Sequence, residues 1–252
     1  MYKRQQIDKV AFFGDSYCFD TITRKHHKGK TTAWWPPAPT YLDIFAEKHN
    51  LEIVHVGTPA HGPTWMVGDF KEWLGTKRQE EINQTHFVFL WSDQSRTVMR
   101  NTGDLRDRGN TFEEKIHPGE RSLPGPDSPM IQDPETYDPR VKQAIQLWWL
   151  YLRSPNEYYR QLDICRDAWK LHLKRYNITS YQQYHCFYHT ADHEDNFLNF
   201  EWEGKNYNFL QDFSYDHEDY IQGEDDTHFN HFSPKGQYNM AEILSRRYLE
   251  CS

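Results

Sequence analysis

A serine near the N-terminus and a cluster of acidic and imidazole side chains near the C-terminus have the residue types that nucleophilic catalysis requires. Ser16 follows Gly14-Asp15 at the end of an apolar run, residues 9–13. The C-terminal cluster stands just before Ser233-Pro234 and contains Asp225, Asp226, His228 and His231. A serine hydroxyl becomes a useful nucleophile when an imidazole takes its proton and an acid orients that imidazole. The two groups therefore predict a serine nucleophile with its base and acid, provided that the fold brings the two parts of the chain together.

Apolar runs predict the strands that would carry this site: residues 9–13, 51–56, 86–91 and, more weakly, 184–188. Between the first two, residues 39–50 predict a helix with Leu42, Phe45 and Ala46 on one face and Asn50 at its left-handed end. Strand, helix and strand at this spacing predict parallel pairing with a right-handed crossover. Ligands of such sheets bind outside the carboxyl ends of the strands, where Ser16 would lie.

Three more helices are predicted in the second half of the chain. The first begins at Asp138-Pro139 and has Val141, Ala144, Ile145, Trp148 and Leu152 on one face. The second follows a capping box at residues 154–157 and carries Tyr158, Leu162, Cys165 and Trp169. The last begins at Ser233-Pro234 and carries Met240, Ile243, Leu244 and Tyr248. We expect the first two to form a hairpin over the sheet, an inserted loop at about 98–140, and one domain over residues 1–252.

Composition excludes several partner classes. The net charge of −8 argues against a nucleic-acid partner, because proteins that bind phosphate backbones carry dense basic patches. No run approaches the ~18 apolar residues of a membrane span. The cysteines, Cys18, Cys165, Cys186 and Cys251, are widely spaced without a CxxC pair, which favours reduced thiols. Residues 1–6 run directly into the first strand, so we expect no signal peptide and a cytoplasmic location, or a virion-associated one if the chain is viral.

Four segments resemble the motifs of the SGNH (GDSL) hydrolase family. Gly14-Asp15-Ser16 is similar to its N-terminal block, and residues 231–236 (HFSPKG) to its His-x-Ser-Pro-x-Gly ending. Residues 32–36 (TAWWP) with Leu42, and residues 57–64 (GTPAHGPT), are similar to its segments in between. The resemblance implies an α/β fold, with a three-layer α/β/α arrangement around a mostly parallel, flavodoxin-like sheet.

The resemblance also implies roles for the candidate residues. Ser16 is the expected nucleophile, His231 the base and Asp226 the acid, with Asp225 as the alternative acid. His228 is a second candidate base, because residues 225–228 match the family's Asp-x-x-His spacing literally. We favour His231, which stands just ahead of the Ser233-Pro234 helix start.

The expected oxyanion site combines backbone and side-chain groups. Backbone N–H groups of Ser16 and of Ala60 or Gly62 would donate to the oxyanion, with Asp93 or Gln94 nearby. The family's third block reads Gly-x-Asn-Asp, whereas this chain has Trp91-Ser92-Asp93-Gln94. An amide can donate to an oxyanion, but an ionised carboxylate repels it, so Asp93 would have to be protonated or Gln94 would have to donate.

The function expected from the resemblance is an esterase that cleaves small acyl esters without a cofactor or a bound metal. O-acetyl groups of a carbohydrate are the candidate substrate, since 16% of the residues are aromatic and flat rings suit sugars, although they equally suit an aromatic core. Open alternatives are an acyltransferase and a non-catalytic carbohydrate-binding or structural module with the same fold. Asp226, His228 and His231 could instead bind a divalent metal or only cap a helix. His185, His189 and His193 are interpreted as surface or core groups, and the sequence leaves the oligomeric state open.

Overall fold

The fold is known from a computed structural model. It describes residues 6–14, 16–18, 39–57, 62–92, 97–100, 120–123, 143, 147, 155–186, 200–210, 212–213, 232 and 234–251. Its central element is a sheet of β1 (Lys9–Phe13), β2 (Glu52–His55), β3 (Thr85–Trp91) and β6 (Tyr181–His185), in the order β2-β1-β3-β6. All three pairings in this sheet are parallel. The α/β fold with a mostly parallel sheet is therefore confirmed.

Five α-helices whose bounds the structure describes accompany the sheet. They are α1 (Tyr41–His49), α2 (Pro63–Thr76), α3 (Gln79–Asn83), α4 (Pro155–Arg175) and α5 (Pro234–Cys251). Three of them, α1, α4 and α5, were predicted from the sequence, and two, α2 and α3, were not. The predicted α1 face is confirmed, with Leu42, Phe45 and Ala46 buried. Thr40 and Asp43 form a capping box at its start, and Asn50 ends it in the left-handed conformation with φ 51°.

Alternate residues of the central strands contribute to two separate apolar clusters, as a strand buried on both faces requires. Val10, Phe12, Val88 and Leu90 join α1 and α5 in the first cluster. Ala11, Phe13, Phe87, Phe89 and Trp91 join α2 and α4 in the second. The burial of Met240, Ile243, Leu244 and Tyr248 confirms the predicted face of α5. On α4 the burial of Leu162, Cys165 and Trp169 confirms the predicted face, and the side chain of Tyr158 lies outside the described residues.

The fourth strand was predicted too late in the chain. It spans Tyr181–His185, not residues 184–188, because two glutamines that look unsuited to a buried strand have partners inside the protein. Gln182 donates from Nε2 to the Leu244 carbonyl at 3.1 Å. Gln183 accepts from Trp91 Nε1 at 3.1 Å. Satisfied hydrogen bonds remove the cost of burying these amides, and periodicity alone does not reveal them.

The insert is not a loop throughout. β4 (Thr97–Arg100) and β5 (Glu120–Leu123) pair antiparallel within or beside it. A second antiparallel pair, β7 (Phe200–Trp202) and β8 (Lys205–Tyr207), was not predicted from the sequence. Of the helix predicted from Asp138-Pro139, the described residues Gln143 and Leu147 are helical, and the rest of that segment lies outside the described residues. Within the part of the chain that the structure describes, no helix is both long and apolar enough to cross a membrane.

Candidate active site

The strand order places a topological switch point where the candidate nucleophile was expected. β1 lies between β2 and β3, so the chain turns to one side after β1 and to the other side after β2. Open α/β sheets bind ligands at such a switch point, outside the carboxyl ends of the strands. The segments that leave this edge are Gly14 after β1, Val56-Gly57 after β2 and Ser92 after β3.

Two glycines allow these segments to approach closely. A Cβ on Gly57 would lie 2.5 Å from the Gly14 carbonyl oxygen and 2.7 Å from its nitrogen. A Cβ on Gly14 would lie 2.8 Å from both the carbonyl oxygen and the Cβ of Leu90 in β3. The glycines therefore bring the ends of β1, β2 and β3 into backbone contact, which larger residues would prevent.

Ser16 begins a short 3₁₀ turn, Ser16–Cys18, directly after the Gly14 turn. Tyr17 and Cys18 bury their side chains in the first apolar cluster, at 3% and 0% exposure. The Tyr17 carbonyl accepts a hydrogen bond from the Tyr41 hydroxyl at 2.6 Å. The backbone of the candidate nucleophile is thus anchored through the residues that follow it.

The segment before α5 contacts this turn. Phe232 is buried, and its ring lies edge-on to Tyr17, with centroids 5.5 Å apart, and to Tyr41, with centroids 5.8 Å apart. Phe232 directly follows His231 in the chain, and Tyr17 directly follows Ser16. The structure therefore brings together two chain segments whose neighbouring residues are the candidate nucleophile and the favoured base.

The remaining candidates divide into one that is described and several that are not. Gly62 is buried and is the N-cap of α2, in extended conformation and without a side-chain cap. Ala60, Asp93, Gln94, Asp225, Asp226, His228 and His231 lie outside the described residues. His189 and His193 also lie outside them, whereas His185 is a buried residue at the end of β6, in agreement with its interpretation as a core group.

A second serine–histidine pair lies near the amino ends of β3 and β6, but the protonation state of its histidine does not allow that histidine to activate the serine. Ser180 Oγ lies 2.8 Å from His86 Nδ1, and Gln182 Nε2 lies 2.9 Å from His86 Nε2. Because an amide nitrogen only donates, His86 Nε2 must accept and Nδ1 must carry the proton that it donates to Ser180. Burial lowers the pKa of His86 to about 3, with a smaller contribution from His49. His86 therefore cannot take a proton from Ser180.

Cys165 and His185 also have potentially reactive side chains, and both are buried. Burial raises the pKa of the Cys165 thiol, and Thr64 Oγ1 contacts its sulfur at 3.6 Å, so it is not an activated thiolate. Burial first, and then the charge of Arg166, lower the pKa of His185 to about 3. Among the described residues, His, Cys, Asp and Glu side chains form no group of three that could hold a metal ion.

A histidine–aspartate pair spans the connection between β2 and α2. His55 Nε2 lies 2.8 Å from Asp69 Oδ2, and the His55 ring stacks on Phe13 with centroids 4.4 Å apart. This pair links the end of β2 to the middle of α2, the two elements that are joined by the connection containing Ala60 and Gly62. It lies on the face of the second cluster, whereas Tyr17 and Phe232 belong to the first.

Sequence reasoning missed Tyr41 and Gln237, which connect the Ser16 turn to the start of α5. Tyr41 was overlooked because the helix pattern explains its burial without assigning its hydroxyl a partner. Gln237 offers no local signal, since its partners are far away in sequence or on the backbone. The sequence matches no protein-family model, and no curated protein matches it significantly.

Proposed function

We propose that this protein is a serine hydrolase of the SGNH type that cleaves small acyl esters, with Ser16 as the nucleophile. The observation that carries the proposal is the contact between Tyr17 and Phe232 at the carboxyl edge of the sheet, with ring centroids 5.5 Å apart. A chain position cannot lie far from its neighbour, because consecutive Cα atoms are about 3.8 Å apart. The contact therefore favours a hydroxyl and an imidazole within reach of one another.

The proposed fold is a three-layer, flavodoxin-like α/β/α arrangement. The order β2-β1-β3-β6 agrees with the first four strands of that topology. The separation of the apolar core into two clusters, one with α1 and α5 and the other with α2 and α4, supports helical layers on both faces.

The proposed mechanism is acyl transfer in two steps. Ser16 Oγ attacks the ester carbonyl carbon while His231 takes the hydroxyl proton, and Asp226 orients the imidazole. The tetrahedral intermediate collapses, the alcohol leaves with the proton from His231, and the acyl group stays on Ser16. Water then attacks the acyl-enzyme, His231 takes its proton, and the carboxylic acid and Ser16 are released. His228 and Asp225 are the alternative base and acid.

The oxyanion would be held by backbone N–H groups of Ser16 and of Ala60 or Gly62. Gly62 is the N-cap of α2, whose positive dipole end favours a developing negative charge nearby. Gln94 would donate from its side chain, and Asp93 would have to be neutral to do the same.

The carbohydrate part of the proposed substrate draws no support from the aromatic residues of the described core. Four of the nine tryptophans are buried in the described core, so packing explains these rings without a sugar groove: Trp73, Trp91, Trp169 and Trp202. O-acetyl groups of a carbohydrate therefore remain the proposed substrate on the resemblance alone.

The proposal is tested by turnover of p-nitrophenyl acetate and by labelling with a fluorophosphonate, with the labelled residue mapped by mass spectrometry. We expect Ser16→Ala to lower turnover at least about 10³-fold and to abolish labelling, because the acyl-enzyme can no longer form. Ser180→Ala is the matched control, since it removes a serine beside a histidine at the other edge of the sheet. It should leave both readouts unchanged.

Two results would contradict the proposal. Turnover that survives Ser16→Ala, or a label mapped to another serine, would place the chemistry elsewhere. Absence of both turnover and labelling in the unmodified protein would favour the non-catalytic module.

A further inference from the structure

Tyr41 connects the Ser16 turn to α1. Tyr41 is the first residue of α1 and is 2% exposed. Its hydroxyl donates to the Tyr17 carbonyl at 2.6 Å, which is a short hydrogen bond in a buried setting. The same residue donates its backbone N–H to Gln237 Oε1 at 2.8 Å.

Gln237 completes the connection to the segment before α5. It lies in the first turn of α5, is 2% exposed and donates from Nε2 to the Phe232 carbonyl at 3.2 Å. The amide oxygen of Gln237 thus accepts a hydrogen bond from α1, and its amide nitrogen donates one to Phe232. The Phe232 ring in turn packs edge-on against the rings of Tyr17 and Tyr41.

These contacts connect four residues to one another, although the first and the last are more than two hundred positions apart in the sequence. We call Tyr17, Tyr41, Phe232 and Gln237 the clamp. Its two hydrogen-bonded arms end on backbone carbonyls, at Tyr17 and Phe232, and the residues that precede these in the chain are Ser16 and His231. Buried hydrogen bonds to the backbone fix its position, because breaking them leaves unpaired polar groups in an apolar core.

We infer that Tyr41 and Gln237 are positioning residues that hold the nucleophile-bearing turn and the base-bearing segment in their relative geometry. This inference rests on the proposed function, since it assigns Ser16 and His231 their roles. Neither positioning residue is assigned contact with the substrate. They act through the backbone, where a displacement of about 1 Å in a catalytic group can lower the rate about 10²-fold.

The chain provides a closely matched control for this role. Tyr184 is also buried, at 1% exposure, and belongs to the same apolar cluster as Tyr41. Its hydroxyl also donates a 2.6 Å hydrogen bond, but to Gln182 Oε1, whose amide group joins His86 and α5. Tyr41→Phe and Tyr184→Phe therefore each remove one buried hydroxyl, and only the first breaks the clamp.

The experiment compares the two variants in ester turnover, in the rate of fluorophosphonate labelling and in thermal midpoint. We expect Tyr41→Phe to lower kcat about 10- to 100-fold with KM within twofold, and to slow labelling in parallel. Tyr184→Phe should leave kcat and labelling within twofold, although both variants lose thermal stability. Equal kinetic losses in both variants, or unchanged kcat in Tyr41→Phe, would overturn the positioning role.

Hydrogen–deuterium exchange separates failure of this inference from failure of the proposed function. We expect peptides that cover residues 14–18 and 232–237 to exchange faster in Tyr41→Phe than in Tyr184→Phe. If the unmodified protein neither turns over ester nor accepts the label, the proposed function fails and the assigned catalytic role fails with it. Unchanged exchange in Tyr41→Phe would show instead that the clamp does not hold these segments.

Discussion

At the scale of single residues, burial separates the histidines that support the fold from those that are candidates for chemistry. His86 and His185 are fully buried and have pKa values lowered to about 3, so both are neutral near pH 7 and are poor bases. Both rings lie in the protein interior. The proposed base for Ser16 comes instead from the segment before α5, whose Phe232 packs on Tyr17 in the Ser16 turn.

The choice between the two candidate bases can be tested at this scale. We expect His231→Ala to lower kcat/KM for p-nitrophenyl acetate at least about 10³-fold, because the serine proton then has no acceptor. His228→Ala should have an effect smaller than about tenfold. The direct chain connection of His231 to Phe232, which packs on Tyr17, is the reason for this ranking. The reverse ranking would assign the base to His228.

At the scale of elements, the site depends on how closely three strand ends approach. The ends of β1 and β2 touch through Gly14 and Gly57, and Gly14 also contacts Leu90 near the end of β3. The parallel register that aligns Phe13 with Phe89 sets these ends level with each other. The close approach at this edge is therefore a property of the strand ends together and not of one loop.

We predict that Gly57→Ala disrupts this approach. Its methyl group would meet the Gly14 backbone at 2.5 Å, and overpacking of this kind typically costs about 1–3 kcal/mol. We expect a loss of unfolding free energy in that range in urea denaturation, together with a loss of ester turnover. The control is Gly68→Ala in α2, where nothing lies within 4 Å of the added methyl group. It should raise the unfolding free energy by about 0.5–1 kcal/mol and leave turnover unchanged. Similar effects for both variants would contradict the close approach.

The elements that were predictable are those whose sequence pattern matches their own burial. β1 and the faces of α1 and α5 follow directly from apolar spacing. α2 also had a signal that was not used, since Pro63 follows Gly62 and Met66, Val67, Phe70 and Leu74 recur at helical spacing. The position of β6 could not be predicted correctly, because Gln182 and Gln183 are stabilised by partners distant in sequence. The clamp could not be predicted either, because each of its hydrogen bonds joins separate elements. Ser16 and Gly14 were recognised from their position after a strand, whereas their neighbours in space required the fold.

At the scale of the whole molecule, the buried histidines make stability depend on pH. The pKa of His86 and of His185 is lowered from an ordinary 6.5 to about 3 in the folded protein. The unfolded chain therefore binds more protons below pH 6.5, so stability is complete above that pH and is lost as the pH falls toward 3. Each fully buried ring contributes a slope of about 1.4 kcal/mol per pH unit in this window.

We predict that the unfolding free energy, measured by urea denaturation at pH 7.5, 6.5, 5.5 and 4.5, falls steeply below pH 6.5. His86→Gln should reduce the slope by about 1.4 kcal/mol per pH unit, because it removes one titrating ring, even if it lowers stability at pH 7.5. Ser180→Ala removes a partner of His86 but keeps the ring, so it should retain the original slope. A slope that is the same in His86→Gln and in the unmodified protein would contradict the assignment.

The packing of α5 against α1 has a consequence for biosynthesis. Lys48 pairs with Glu242 across these helices, and Leu244 and Tyr248 join Phe45 in one cluster. A ribosome adds roughly 5–20 residues per second, so a nascent chain presents β1, β3 and α1 for many seconds before α5 emerges to cover them. During that interval one apolar side of the half-made protein is open to molecular chaperones or to aggregation. The proposed catalytic site needs the segment just before α5, so it can be assembled only after that segment has been translated and α5 has packed against α1.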